Sequence, residues 1–440
     1  MTSRPRRSSS LGSQIPFGDT GPAQSTMSTT ASSKRKSQNR RRALAGKEKD
    51  SLKGWGIWAR EYCFKHTWVI PLLLVLTVLL GYALNPTPTN PLHTFIFISY
   101  PRASGSTSPT TSGTSSTVFG KGLLDLRFVT FYTAVFSFTR EFLTQELLRP
   151  LARRLGLRKK GKVNRFMEQA YTALYFAVFG PFGLYVMYNS PMWYFNTRAF
   201  YEGYPHKELS GEFKAYYLLQ AAYWTQQAIV LLLQLEKPRK DFKELVLHHV
   251  ITVSLIALSY RFHFTHIGLA VYITHDISDF FLATSKTLNY IDVSWIGPYF
   301  VLFMASWIYC RHYINLGILW SVLTEFRTVG PWVLDWEGGS YKCRIAQVIT
   351  FGLLASLQAV NLFWLRLILR IARRYVAPKE GEGLKDVRSD DEDSESGGEL
   401  AGDDDAVYTN GTKLVSEGID ADAVTTGVET PVGGKVRVRS

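Results

Sequence analysis

The sequence predicts an all-α membrane protein with about eight transmembrane helices, and two observations support this fold class. Of the 440 residues 46% are hydrophobic, and they are gathered into blocks that approach the roughly 20 apolar residues needed to cross a bilayer. Polar loops separate the blocks, as is typical of helices that satisfy their backbone groups internally within lipid. We therefore expect a polytopic helical protein.

The predicted crossings follow the apolar blocks in order along the chain. They lie at about residues 67–84, 123–142, 166–187, 213–235, 245–261, 265–284, 297–322 and 343–369. The crossing at 123–142 is the weakest, because it contains Asp125, Arg127, Arg140 and Glu141. We expect its ends to lie at the membrane interface.

The charges of the loops predict the orientation of the helices. The loops at 143–165 and 236–244 and the exit at 370–374 are rich in Lys and Arg, whereas the loops at 85–122 and 188–212 carry few. By the positive-inside rule the basic loops are cytosolic. An even number of crossings then places both termini in the cytosol and the other loops on the lumenal side.

The start of the chain is predicted to be a disordered, basic cytosolic arm. Residues 1–60 are rich in Ser, Thr, Arg and Lys and have too few large apolar residues to bury a core. Basic clusters at 34–36 and 40–42 could indicate nucleic acid, but a crossing that begins near Thr67 favours contact with anionic lipid. The net charge of +14 has the same explanation, because most Lys and Arg flank the crossings. We expect no nucleic-acid partner.

The end of the chain, residues 376–440, is predicted to be a disordered acidic cytosolic tail. Ser389 precedes four acidic residues and Ser394 is followed by Glu395, which is the pattern that acid-directed kinases favour. Phosphorylation at these serines and a plain solvated tail both fit the sequence. Asn410 begins a glycosylation sequon, which a cytosolic tail would leave unmodified.

Ionisable residues stand inside two neighbouring crossings. His248 and His249 lie near the start of one, about 5–8 Å below its cytosolic end, and Asp276 and Asp279 lie in the cytosolic half of the next. An acidic side chain at the bilayer centre costs about 2.5–3.5 kcal/mol, so such residues usually face a protein-lined cavity. The aspartates share a helix face, and a helix hairpin would bring that face near the histidines. Histidine with aspartate is a common acid–base unit.

Packing offers another interpretation of the same residues. The paired histidines could be satisfied between helices, a lone His275 is more often structural, and both aspartates could cap or hydrogen-bond neighbouring helices. However, four ionisable residues in adjacent crossings multiply an insertion cost that packing alone seldom demands. A metal site is a third interpretation, but membrane di-iron enzymes need several His-rich boxes, and this chain has nine His and three widely spaced Cys. We expect no metal.

The same stretch resembles a known family. The run HHVITVSLIALSY, the glycine at 268, and the motifs HDISD and KTLNY are similar to the Lag motif of the ceramide synthases, which lies inside the six-helix TLC domain. The flanking segments PRKDFKE, WVLDWEGGSYKCRIAQ and VNLFWLRLILRI also resemble it, most closely in the fungal branch. The likeness covers about residues 65–375. Animal members often carry an acidic residue where Ala283 stands, so that position is given no role.

The resemblance implies an endoplasmic reticulum enzyme that N-acylates a sphingoid long-chain base, dihydrosphingosine or phytosphingosine, with a fatty acyl-CoA. It implies a first transmembrane helix and lumenal loop at 61–122 and a TLC acyltransferase domain at 123–375, in which six helices form a barrel around a substrate tunnel. No cofactor is implied, because the thioester of the acyl-CoA substrate is already activated. The implied protein partners are a second copy, a paralogue or the small single-span subunit that fungal relatives use.

The resemblance also implies roles for the ionisable residues. His248 would act as nucleophile, through an acyl-imidazole, or as the base that takes a proton from the substrate ammonium. His249, Asp276 and Asp279 would orient it and balance charge.

The basic residues that precede the histidines have two interpretations. Arg239, Lys240 and Lys243 would lie near the cytosolic end and offer charges to the CoA phosphates. They are also ordinary positive-inside residues.

Two other function classes and one specificity question stay open at this stage. The chain could be a TLC-domain protein that binds or senses lipid without catalysis, or one that assists translocation. It could also be a transporter, although no inverted repeat is evident. The segment Thr324–Lys342, a predicted lumenal loop, could close the far end of a tunnel and so select acyl length.

Overall fold

The computed structural model describes residues 57–63, 65–103, 117–235 and 241–376. Residues 57–63 are helical, so the helix takes in the last four residues of the predicted arm. Several predicted features lie outside the described residues; they are most of the basic arm, the acidic tail with Ser389, Ser394 and Asn410, and the loop residues Arg239 and Lys240.

The described part of the chain is predominantly helical. The helices are α1 (Val69–Ala83), α2 (His93–Ile96), α3 (Asp125–Phe142), α4 (Arg149–Arg154), α5 (Lys160–Tyr188), α6 (Gly211–Leu232), α7 (Phe242–Arg261), α8 (Thr265–Tyr290), α9 (Ile296–Ile308), α10 (Asn315–Thr328) and α11 (Arg344–Val376). The π-helical turns Leu143–Leu148 and Tyr309–Ile314 connect α3 to α4 and α9 to α10, and 3₁₀ turns lie at Trp193–Phe195 and Arg198–Phe200. Each apolar block predicted from the sequence therefore contains a helix.

Within the described residues, three helices are long and apolar enough to cross a membrane by length and composition. They are Lys160–Tyr188, Phe242–Arg261 and Arg344–Arg374. Helix α1 is apolar but has only 15 residues. Other helices, such as α8, contain polar and charged residues that lower their mean hydropathy. The chain is thus a helical protein with several apolar, membrane-type helices.

Two small antiparallel sheets were not predicted from the sequence. The first has the order β1 (Pro101–Ala103), β2 (Thr117–Phe119), β3 (Leu209–Ser210), and the second pairs β4 (Leu334–Asp335) with β5 (Ser340–Tyr341). Strands of two or three residues are too short to show a two-residue periodicity of apolar side chains. The β4–β5 hairpin lines one end of a cavity.

Helix α8 lies at the centre of the helical packing. It runs along α5 and also contacts α7, α9 and α10. Leu269 and Ile273 of α8 are fully buried, as are Tyr216 and Tyr217 of the neighbouring helix α6. A Cβ at Gly183 of α5 would meet the Tyr216 hydroxyl at 2.6 Å, so glycine permits the close approach there. His275 and Asp276 of α8 are therefore buried within protein.

A buried ion pair joins the start of α3 to α6. Lys214 Nζ lies 2.7 Å from Asp125 Oδ1, and both side chains are almost completely buried. Lys214 also donates to the carbonyl oxygens of Ser99 and Gly120, each at 2.7 Å. The Tyr260 hydroxyl donates to Asp125 Oδ2 at 2.7 Å. The charges are thus matched, and they tie α3, α6 and α7 together at one end of the protein.

Replacing Lys214 by methionine should destabilise the fold by about 3–5 kcal/mol, because the change leaves the Asp125 carboxylate buried without its counter-charge. The free energy of unfolding, measured by denaturation in detergent, tests this. The matched control is Arg102→Ala, which breaks the exposed Arg102–Glu208 pair and should cost less than about 1 kcal/mol. Equal losses for the two variants would contradict the prediction.

Candidate active site

A cavity of about 250 Å³ lies between α6, α7, α8 and α11. It extends along α7 from His248 to Phe262, which at 1.5 Å per residue is about 20 Å. Most of the lining side chains are aliphatic or aromatic, and the β4–β5 hairpin contributes Trp336 and Tyr341 at the end away from His248. A long, narrow, apolar cavity with a histidine at one end suits a lipid chain whose reacting group lies at that end.

His248 is buried at one end of this cavity. Helix α7 begins at Phe242, so His248 lies about 9 Å along it, slightly deeper than the predicted crossing implied. Its ring centroid is 5.8 Å from that of Trp224 and 5.1 Å from that of Trp364. Its Nε2 is 3.5 Å from the Thr252 hydroxyl, whereas its Nδ1 has no hydrogen-bond partner among the described residues. A buried imidazole nitrogen without a partner is a candidate for contact with a substrate.

His249 does not line the cavity. Its Nδ1 donates to the backbone carbonyl of Leu245 at 2.9 Å, and the ring is only partly buried. Neighbouring helix residues point in different directions, so two adjacent histidines cannot present the same face. The structure therefore separates the two residues of the predicted pair.

His275 lines the cavity beside His248, with 6.4 Å between the ring centroids. Its Nδ1 donates to the carbonyl of Val271 at 2.8 Å, and its Nε2 accepts from Asn361 Nδ2 at 3.3 Å. Both nitrogens are thus engaged, which fixes the tautomer and the ring orientation. His275 is better suited to shape the site than to exchange a proton.

A buried charge network supports His275 from behind. Arg311, in the π-helical turn between α9 and α10, donates to Asp279 Oδ1 at 2.5 Å, to Asn361 Oδ1 at 3.0 Å and to Ser278 Oγ at 2.7 Å. Its guanidinium carbon lies 4.1 Å from the centre of the Trp307 ring. Asp279 is thus linked to His275 through Arg311 and Asn361.

Asp276 lies in a different set of contacts. Its carboxylate is fully buried and its Oδ2 accepts from the Tyr216 hydroxyl at 2.8 Å and from Gln220 Nε2. Both partners are on α6, whereas Asp279 contacts the π-helical turn. Neither aspartate is a hydrogen-bond partner of His248, so the direct histidine–aspartate contact expected from the helix hairpin is absent from the described residues.

The charged groups predicted to bind CoA are only partly described. Lys243 is exposed in the first turn of α7, one turn before His248, and Arg239 and Lys240 precede the described part of the helix. Among the residues that the structure describes, no group of three or more His, Cys, Asp or Glu is placed to hold a metal ion. Cys63, Cys310 and Cys343 are free thiols.

The sequence analysis missed Arg311, Asn361, Trp224 and Trp364. Arg311 could have been found from the sequence, because it is a charged residue inside the predicted crossing at 297–322. The free-energy cost of placing a charge in lipid, which pointed to the aspartates, applies equally to it. The other three had no such signal, since one amide and two indoles do not stand out among many polar and aromatic residues.

Lys342 follows strand β5 at the end of the cavity away from His248. Its Nζ donates to the carbonyl of Val329, and it lies 5.2–5.7 Å from the ring centres of Tyr201, Tyr204 and Phe326. The Tyr204 hydroxyl accepts from the backbone N–H of Tyr341 at 3.0 Å. Burial lowers the pKa of Lys342 to about 8. These contacts fix the β4–β5 hairpin over the cavity.

Replacing Arg311 by methionine should destabilise the protein by about 3–5 kcal/mol, because Asp279 then loses its counter-charge. Changing Asp279 to asparagine in the same chain should recover part of this loss, since both charges are then removed together. Denaturation of the single and double variants measures the coupling. Arg327→Met, at an exposed position on α10, is the control and should change little. Additive losses from the two changes would refute the coupling.

Comparison with known proteins agrees with the predicted resemblance. The TLC domain family matches residues 165–370. A sphingosine N-acyltransferase-like protein of Gibberella moniliformis is 52% identical over 78% of this chain and 87% of its own length. Sphingosine N-acyltransferase lac1 of Schizosaccharomyces pombe is 51% identical over 75% and 83%, and ceramide synthase LAG1 of Saccharomyces cerevisiae is 47% identical over 89% and 93%. The chain therefore belongs to the TLC-domain family of sphingosine N-acyltransferases, or ceramide synthases.

Proposed function

We propose that this protein is a ceramide synthase, an acyltransferase that moves a fatty acyl group from acyl-CoA to the amine of a sphingoid base. The chain matches fungal relatives over most of their length, and these relatives are named for this activity. The observation that carries the proposal is His248, whose unpartnered Nδ1 stands at one end of a long apolar cavity. The cavity would hold a lipid chain while its reacting end lies beside the imidazole.

The reaction needs a nucleophile or a base and no cofactor. In the two-step route, a His248 nitrogen attacks the thioester carbon, the C–S bond breaks, and its electron pair leaves with the CoA sulfur. The deprotonated amine then attacks the acyl-imidazole and releases the imidazole. In the direct route, His248 takes a proton from the ammonium and the amine attacks the thioester carbon. The C–S bond then breaks, and its electron pair and the second amine proton leave with the CoA sulfur as the free thiol. His248 is required by both routes.

Other residues would position His248 and the acyl group. Asp279 would act indirectly. It binds Arg311, Arg311 binds Asn361, and Asn361 is hydrogen-bonded to His275, whose ring lines the cavity beside His248. Trp224 lines the cavity, and its indole N–H is buried without a partner among the described residues. This N–H would donate to the thioester carbonyl oxygen. His249 and Asp276 would also act as positioning residues. His249 is hydrogen-bonded to the backbone of α7, and Asp276 is hydrogen-bonded to Tyr216 of α6.

We further propose the membrane arrangement that the loop charges predict. Eight helices would cross the endoplasmic reticulum membrane with both termini in the cytosol, and six would form the TLC barrel around the cavity. CoA would lie at the cytosolic end, where Lys243 and the preceding Arg239 and Lys240 offer positive charge to its phosphates. A second copy, a paralogue or a small single-span subunit would be the protein partner, and the acidic tail would carry the regulatory serines.

His248→Ala should lower ceramide synthesis by about 10²–10⁴ or more, because both routes lose the group that attacks or takes the proton. The informative measurement is an intact-mass spectrum after acyl-CoA is added without a base. An acyl adduct in the wild type that is absent from the variant supports the acyl-imidazole, and ceramide formation without an adduct supports direct transfer. His93→Ala, on the short helix α2, is the control. A folded His248→Ala protein with near-normal activity would contradict the assignment.

Trp336→Ala should shift acyl preference toward longer chains, since this side chain lines the cavity at the end away from His248. Product chain lengths from mixed acyl-CoA substrates, resolved by mass spectrometry, measure the shift. The control is Val333→Ala in the same segment, where the side chain is exposed and does not line the cavity. An unchanged product distribution for both variants would argue against chain selection by this hairpin.

A further inference from the structure

Trp364 of α11 packs against His248 beyond the end of the apolar cavity. The side chains that line the cavity reach no further toward the start of α7 than His248, and no further along α11 than Leu357. Trp364 follows Leu357 by about two helical turns. Its ring meets the His248 imidazole edge-on, with 5.1 Å between the centroids. The indole therefore covers the imidazole on the side that faces the first turn of α7.

Asp241 holds this indole from the start of α7. The Trp364 Nε1–H donates to Asp241 Oδ2 at 3.1 Å. Because the same ring packs against His248, the indole spans the space between the N-cap of α7 and the imidazole seven residues further along. Asp241 is 6% exposed and His248 is 5% exposed. The side from which we propose that CoA approaches is thus closed over His248 by a buried hydrogen bond.

The orientation of Asp241 is fixed by this distant contact and not by its own helix. Asp241 occupies the N-cap position of α7, where an aspartate ordinarily accepts a hydrogen bond from a backbone N–H in the first turn. It makes no such capping bond. Its carboxylate is bonded to α11 instead, 123 residues away along the chain. The contact between Asp241 and Trp364 therefore has a role other than starting the helix.

Water is the competitor that a cover over His248 would exclude. A thioester or an acyl-imidazole reacts with water as well as with an amine. The water oxygen attacks the acyl carbon, and the C–S or C–N bond breaks with its electron pair on the leaving atom. One water proton passes to the CoA sulfur or to the imidazole, and a free fatty acid leaves. An enzyme that makes an amide from these species therefore gains from keeping water away from the reacting carbon.

We propose that Asp241 is a positioning residue that holds Trp364 as a water-excluding cover over His248. The inference rests on the proposed function, because it assumes that an acyl group reacts beside His248. The cover is displaced when acyl-CoA delivers its thioester, and it closes again over the acyl group. Its effect is on the fate of that group, amide or free acid.

The test compares Asp241→Ala with Trp364→Phe, which keeps an aromatic ring beside His248 and loses only the N–H donor. Free fatty acid and ceramide formed from acyl-CoA and a sphingoid base are measured together by mass spectrometry. The ratio of fatty acid to ceramide should rise about threefold to tenfold in each variant, because the ring is no longer anchored. The double variant should show no larger rise than the single variants, since both changes act through one bond.

Asp241→Asn is the matched variant, because its amide oxygen can still accept from the indole N–H, and its ratio should stay within about twofold of wild type. Trp295→Phe, at an exposed indole before α9, should leave both products unchanged. A wild-type ratio in Asp241→Ala and Trp364→Phe, an equal fall of both products, or a raised ratio in Asp241→Asn would overturn the proposal. Failure of the proposed function looks different, since the wild-type protein would then form no ceramide.

Discussion

The pairing of Arg311 with Asp279 is the interaction on which the described site depends. A guanidinium that is 1% exposed among apolar helices is tolerated only if its donors are matched and its charge is balanced. The surroundings meet both needs, because Asp279 supplies the counter-charge, Ser278 and Asn361 accept further hydrogen bonds, and the Trp307 ring covers one face. These partners come from α8, α9 and α11, so a single side chain fixes the relative positions of three helices. Two of these helices, α8 and α11, contribute walls of the cavity.

Hydrogen-bond satisfaction distinguishes the two histidines that border the cavity. His275 uses one nitrogen on the Val271 carbonyl and the other on Asn361, so its ring is held in one tautomer. His248 has an unpartnered nitrogen and is enclosed by aromatic rings. A group that exchanges bonds with a substrate must be able to leave its protein contacts, and only His248 of this pair has a nitrogen in that condition. Geometry therefore separates the proposed reacting residue from the proposed supporting one, although both are ionisable residues in adjacent apolar helices.

The sequence predicted where the helices lie more fully than what the polar residues contact. Apolar blocks such as 166–187 coincide with helices, because burial in lipid or protein requires long apolar runs whatever the neighbours are. The cost of inserting a charge into lipid likewise predicted that Asp276 and Asp279 face protein. Their partners could not be predicted, since the direction in which each carboxylate points depends on the tertiary packing of α8. Tyr216 and Arg311 lie 60 and 32 residues from these aspartates along the chain, and no local pattern connects them.

The far end of the cavity shows how a distant contact can define the space available to a substrate. Strands of two residues pair too weakly to hold the β4–β5 hairpin in place by themselves. Lys342 supplies the missing constraint, because its ammonium group bonds the Val329 carbonyl at the base of the hairpin and lies among three aromatic rings. Burial opposes the charged form of this lysine, whereas the carbonyl and the ring faces favour it. The position of Trp336 at this end of the cavity therefore depends on a balance of forces at Lys342, a residue that does not itself line the cavity.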